Sequence, residues 1–324
     1  MTIFSLGLSR NTKLILYSLG IFVCYFYYGI IQEKITRGTY GEGDEKEKFT
    51  FALSLVFVQC VVNYGFANIL LATIMKNQGE DHTRTIYYAC SALTYLLAMV
   101  CSNMALQWVN YPTQVVGKSG KPIPVMVLGV LLGRKTYPPR KYLFVLLIVI
   151  GVAAFMYKDS AAKSSQSEGG GLGEVLLLLS LTMDGLTAAA QERMAAEHGT
   201  KSGHMMRGMN LWSTMFLSVA VLLTGDGLAA LQFCQRHPAA ASHLATLALS
   251  SALGQLFIFL TVTEFGPLAC SVATTTRKFF TVLASVLFFG NRLVWPRQWL
   301  AAILVFTGLT LDAMYGKSPA PRKT

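Results

Sequence analysis

Charge is what this sequence has least of. Only 13% of its 324 residues are Asp, Glu, Lys or Arg, while 53% are hydrophobic. Soluble domains carry roughly 25% charged residues, so a water-soluble globule is excluded, and the mean hydropathy of +0.48 agrees. Acids are scarcer than bases, 16 against 27, which leaves a net charge of +11. No basic run is long enough to form a nucleic-acid arm, so nucleic acid is not an expected partner. Much of the surplus sits in short loops, where the positive-inside rule accounts for it. Six cysteines and five histidines occur, with no CxxC and no Cys/His ligand spacing. Metal and cofactor chemistry therefore has no motif here, and the cysteines read as small buried apolar residues. The N-terminus lacks a cleavable signal with a small-residue cleavage site, so the first span is expected to be retained.

What the chain has in quantity is long apolar runs. A membrane span needs about 20 mostly apolar residues, and ten stretches qualify: Leu14–Gln32, Phe49–Ile74, Ile86–Val109, a fourth ending at Leu132, Tyr142–Tyr157, Leu172–Gln191, Met205–Thr224, Leu244–Glu264, Pro267–Phe289 and Gln298–Tyr315. The expected fold class is an all-α polytopic membrane protein. Residues 158–171 are Ser-, Gly- and Ala-rich and read as a flexible linker, separating 1–157 from 172–315 and a polar tail, 316–324. Glu192–His204 reads as a polar loop. Ten spans put both termini on one side. With the N-terminus in the cytosol, cytosolic segments hold fourteen Lys and Arg and the opposite side nine, which favours that orientation.

The fourth span is unusual. Between Tyr111 and Met126 it holds Lys118, Lys121 and three prolines. A lysine near the bilayer centre costs about 2.5–3.5 kcal/mol on insertion scales. On a continuous helix Gln114, Lys118 and Lys121 share one face, which must look at protein or at a wet cavity. Pro122 and Pro124 remove backbone donors and are expected to bend the helix, as is tolerated at membrane depth only beside such a cavity. A cavity lined with ammonium groups suits an anion.

The two halves also resemble each other. An offset of 157 residues carries Lys121 onto Lys278, Gly133 onto Gly290, Pro139 onto Pro296, Arg140 onto Arg297 and Gly151 onto Gly308. Five spans in each half, an odd number, require two inverted copies, a signature of alternating-access transporters. The offset delivers a second cationic stretch, Ser271–Phe280, with Thr274, Arg277 and Lys278. Four cations thus face the interior. The acids at comparable depth are Asp184, Glu33 and Glu264, so at least one positive charge is left for a ligand. Arg binds phosphate as a fork and Lys as a point charge. Lys118, Lys121, Arg277 and Lys278 are the candidate phosphate ligands, assisted by Gln114, Ser119, Thr274 and Glu33.

Other readings stand beside these. A lone lysine paired with Asp184 would be structural; Asp184 itself fits a counter-ion, a proton site or a packing residue. Tyr25 and Tyr28 could stack a base or simply pack. Gly117-Lys118-Ser119 ends like a P-loop, but Pro112 stands where that motif needs its first glycine. A membrane-embedded transferase lacks a carboxylate cluster, and a passive receptor does not explain four buried cations.

The stretch Gly117-Lys118-Ser119-Gly120-Lys121-Pro122-Ile123-Pro124-Val125-Met126 resembles the fourth-span motif of nucleotide-sugar transporters, solute carrier family 35. So do Asn210-Leu211-Trp212-Ser213, Ser251–Phe259, Phe265-Gly266-Pro267-Leu268, Thr274–Phe280 and Tyr25–Arg37, and together these stretches point to the B subfamily. The resemblance implies a drug/metabolite-transporter fold of ten helices in two inverted five-helix repeats. It implies an endoplasmic reticulum membrane location and antiport of cytosolic ATP for luminal ADP, or alternatively of a UDP-sugar (UDP-galactose or UDP-glucose) for a nucleoside monophosphate. The expected partners are therefore nucleotides and the lipid bilayer. A di-lysine retrieval tail common in this group is altered here at Arg322, so the location rests on the resemblance.

Overall fold

A computed structural model of the chain describes residues 9–41, 47–105, 117–118, 120–132, 136–156, 172–277 and 297–315. Helices dominate: α1 (Arg10–Arg37), α2 (Ala52–Ala72), α3 (Thr85–Ala105), α4 (Pro122–Leu131), α5 (Pro139–Met156), α6 (Leu172–Glu197), α7 (Ser202–Thr224), α8 (Asp226–Arg236), α9 (Pro238–Phe265), α10 (residues 267–277) and α11 (Arg297–Tyr315). Six of these, α1, α2, α3, α6, α7 and α9, are long and apolar enough to cross a membrane. Their outward faces carry leucines such as Leu222, Leu223 and Leu178, 78%, 82% and 66% exposed. Apolar surface on that scale is stable in lipid and unstable in water. The chain is a polytopic, predominantly helical membrane protein.

Three local features depart from the sequence reading. A two-stranded antiparallel hairpin, β1 (Thr39–Tyr40) with β2 (Glu47–Lys48), follows α1. The short helix α8 lies between the expected spans Met205–Thr224 and Leu244–Glu264; Asp226 supplies a negative charge in its first turn and Arg236 a positive one in its last, both favourable to the helix dipole. The segment read as a polar loop from Glu192 is helical as far as Glu197; buried Glu192 and Met194 hold that last part of α6.

The chain divides into two compact units, Met1–Leu93 with His198–Glu264, and Thr94–Glu197 with Phe265–Thr324. Each draws on both halves of the sequence. In the first unit α2 packs on α7. Gln78, just past α2, donates to Ser202 at the start of α7, while Asp226, just past α7, accepts from the Ser54 amide and hydroxyl at 3.0 and 3.1 Å. The two helices therefore run antiparallel. Asp226 also caps α2, whose own Phe51 N-cap has no side chain to do so, satisfying a donor that helix N-termini leave orphaned. Beside this end, Phe233 of α8 packs edge-on against Tyr40, Phe49 and Phe51.

In the second unit α5 packs on α11. A Cβ on Gly151 would lie 2.7 Å from Val305, and one on Gly308 2.8 Å from Ile148. Since 151 faces 305 and 308 faces 148, these helices are antiparallel too, and glycine permits their close approach. Around them Val125, Met126, Val145, Ile148, Val152, Ala188, Leu268, Val272, Ala301 and Val305 form one core. That core joins α4, α5, α6, α10 and α11, and it fixes the helices that carry the candidate site.

Candidate functional site

The site begins with what proline does to the backbone before α4. Pro122 and Pro124 cannot donate to the carbonyls four residues back, those of Lys118 and Gly120. Those carbonyls accept instead from residues three ahead. The Lys121 amide donates to Lys118 at 3.3 Å, Ile123 to Gly120 at 3.0 Å, and Gly120 to Gly117 at 3.0 Å. This is the 3₁₀ pattern, in which residues i and i+3 eclipse. Lys118 and Lys121 are three apart, so their side chains leave the turn on the same side. Gly117 and Lys118 are helical, Gly120 and Lys121 form a turn, and helix resumes at Pro122, where proline suits the first helical position, so the prolines stand where the helix is interrupted.

Both lysines meet one carboxylate. Asp184 of α6 accepts from Lys118 through Oδ2 and from Lys121 through Oδ1, each at 3.0 Å. Lys118 also donates to Ser180 at 2.6 Å, and the Ser180 hydroxyl donates to the Ala98 carbonyl. Leu177, Ser180, Asp184 and Ala188 recur at three- and four-residue spacing, so they share the buried face of α6. Gly185 allows the approach that makes the contact: a Cβ there would lie 2.9 Å from the Pro124 carbonyl and 2.7 Å from Leu128. The cluster holds two ammonium groups and one carboxylate, a net charge of +1. Burial is graded: the Asp184 side chain is 8% exposed, that of Lys118 17% and that of Lys121 36%.

The other sequence-predicted residues are distributed as follows. Helix α10 comes beside the lysine turn, since Leu268 and Val272 share a core with Val125 and Met126. Thr274 bonds back to the Cys270 carbonyl at 2.9 Å, leaving its oxygen lone pairs as acceptors. Half-buried Arg277 closes the described part of α10. Lys278, Gln114 and Ser119 lie outside the described residues, as does the Glu33 side chain. Glu264 is taken up elsewhere, accepting from Tyr17 at 3.1 Å and pairing with Lys13 at 3.7 Å. In the first unit Tyr25 and Tyr28 pack edge-on, with centroids 5.6 Å apart, and Tyr28 donates to Gln59 at 3.1 Å. Sequence reasoning missed Ser180. Its only signal is its place one turn before Asp184.

Comparison with known proteins places the chain. The sequence model of the UAA transporter family matches residues 13–316. The chain is 55% identical over 324 residues to the Solute carrier family 35 member B1 homolog of Drosophila melanogaster, covering 98% of this chain and 95% of that protein. It is 58% identical over 299 residues to Solute carrier family 35 member B1 of Bos taurus, covering 92% of each. The corresponding Xenopus tropicalis protein is 57% identical over 310 residues, 95% of each. The matched region takes in the lysine turn, Asp184 and α10 together, and the chain belongs to the UAA transporter family.

Proposed function

We propose that the protein is a nucleotide antiporter of the endoplasmic reticulum membrane, exchanging cytosolic ATP for luminal ADP by alternating access. The observation that carries this reading is the Lys118–Asp184–Lys121 cluster. Two ammonium groups are held among apolar helices against one carboxylate, and the remaining positive charge needs an anion. Lys118, Lys121, Arg277 and Lys278 bind the phosphates in this reading. Gln114, Ser119 and Thr274 add hydrogen bonds, Glu33 pairs with a cation of the empty site, and Tyr25 and Tyr28 contact the base.

The transport cycle is read as rocking of two inverted five-helix repeats, 1–157 and 172–315, with both termini cytosolic. Two helix pairs support the repeat. The 157-residue offset carries α2 onto 209–229, largely within α7, and α5 onto 296–313, nearly all of α11. Both pairs of equivalents pack antiparallel on each other, as copies related by a two-fold axis do.

Radiolabelled ATP uptake into ADP-loaded proteoliposomes tests the reading. Lys118→Ala and Arg277→Ala are each expected to abolish exchange while leaving a folded, monodisperse protein. Undiminished exchange in both variants overturns the phosphate clamp. The same four cations would suit a UDP-sugar exchanged for a nucleoside monophosphate, and competition decides. Excess unlabelled ADP suppresses ATP uptake under the first reading; suppression by UDP-galactose or UDP-glucose, with ADP inert, establishes the second.

A further inference from the structure

Asp184 is the one member of the cluster to which no part in exchange is yet assigned. A carboxylate and a phosphoryl group both present at least two anionic oxygens on one central atom. Asp184 uses both of its oxygens, one on each lysine, at 3.0 Å. It therefore holds the two ammonium groups as a phosphoryl group would hold them. Its grip is uneven in one respect. Lys118 is tied down a second time by Ser180, which is itself bonded to the Ala98 carbonyl. Lys121 has Asp184 as its hydrogen-bond acceptor and is the more exposed of the two.

We propose that Asp184 is an internal stand-in for the substrate phosphate, and that Lys121 is the arm that changes partner. This rests on the nucleotide-antiport reading above. In the empty carrier Asp184 holds both lysines. An arriving phosphate takes Lys121 away, while Lys118 keeps one N–H on Asp184 and one on Ser180 and turns its third to the phosphate. When substrate leaves, Asp184 takes Lys121 back and shortens the lifetime of the bound state. Asp184 is thus a positioning residue that competes with substrate for one cation. A competitor of this kind couples affinity to release: weakening it tightens binding and slows turnover together.

That coupling is the test, because structural damage does not produce it. In proteoliposomes, Asp184→Asn is expected to lower the KM for ATP and to lower kcat, each by roughly tenfold, the scale of losing one charge-assisted hydrogen bond. Nucleotide-dependent thermal stabilisation in detergent should rise in parallel. A raised or unchanged KM with reduced kcat overturns the proposal and makes Asp184 a structural counter-ion. Asp184→Glu keeps the charge that the fold needs and serves if the asparagine variant does not fold. Its KM and kcat must still shift in the same direction, and wild-type values for both also overturn the proposal. Failure of the underlying reading is distinct: wild-type protein would then show neither ATP/ADP exchange nor stabilisation by either nucleotide.

Discussion

The two units bury polar groups of different kinds. Inside the long helices of the first, neutral side chains among the described residues meet across helices. Asn63 donates to Ser251 at 3.3 Å, Asn210 to Gln255 at 2.8 Å, and Tyr28 to Gln59 at 3.1 Å. Among the described residues its ion pairs sit at helix ends or in loops: Lys13 with Glu264, and Arg236 with Glu47. The second unit buries a full charge cluster between α6 and the turn before α4. Neutral amides hold membrane helices together cheaply, averaging about 0.6 kcal/mol per hydrogen bond in measured cases. A buried ion pair is a poor way to gain stability, since desolvation offsets most of the attraction. The neutral pairs of the first unit hold its helices together, and on the reading proposed above the buried charges of the second bind phosphate.

The contrast breaks most sharply at the prolines. Replacing Pro122 and Pro124 together by alanine restores two amide donors and lets the turn before α4 relax toward α geometry. Three residues then span about 300° rather than a full turn, so Lys118 and Lys121 no longer eclipse. Loss of one lysine contact is worth about 1.5–3 kcal/mol for a charged hydrogen bond, which is roughly ten- to a hundredfold in exchange. Thermal stability should stay level or rise, because alanine is the better helix former. Exchange at the wild-type rate would show that the eclipsed turn is not needed.

An intermediate effect is expected at Gly185. Gly185→Ala forces a Cβ against the Pro124 carbonyl, a backbone atom with little room to move. Overpacking of this kind costs about 1–3 kcal/mol. Both the melting temperature and exchange should fall, because the same contact holds the unit and aims the cluster. Asn210→Leu in the first unit supplies the other arm. It strands Gln255 at a cost of about 1–3 kcal/mol in stability, yet the KM for nucleotide should not change. A KM shift there would erase the distinction between a structural and a binding unit.

How much of this was legible in sequence follows from distance along the chain. Lys118 and Lys121 announce themselves as charges in an apolar run. Asp184 announces itself likewise, but 63 and 66 residues separate it from its partners, so the sequence offered a lysine–Asp184 pair only as one reading among several and did not join both lysines to it. The prolines were visible as helix breakers, and the helix is interrupted where they begin. The consequence depends on which carbonyls lose donors, and a 3₁₀ turn follows only once that count is made. Helix α8 escaped because eleven residues with Asp226, Gln232 and Arg236 fall below any span threshold. The offset of 157 was legible because Gly151 and Gly308 both stand where two helices touch.

The smallest expected effect lies in the loop between α2 and α3, which is bound to the start of α7 and to Thr200 just before it. There Thr83 bonds Thr200, His204 bonds the Gly79 carbonyl, and the Gly203 amide donates to Gln78. Asp81 organises this loop by accepting from the Thr83 amide at 3.1 Å and the Tyr88 hydroxyl at 3.0 Å. Burial pushes its carboxyl up, but hydrogen bonds from Thr83 and Tyr88 outweigh burial and hold it below the ordinary value of 3.8. A depressed carboxyl pKa stabilises the fold above the unfolded value, and that stability is lost as pH falls through 3.8 toward the folded pKa. Solvent screening keeps the effect under about 1 kcal/mol. Wild-type protein should therefore lose slightly more melting temperature than Asp81→Asn between pH 5 and pH 3, and their ATP exchange at neutral pH should match. Identical pH dependence in the two would remove Asp81 from the stability of the first unit, and altered exchange at neutral pH would carry function into the unit whose buried groups are otherwise structural.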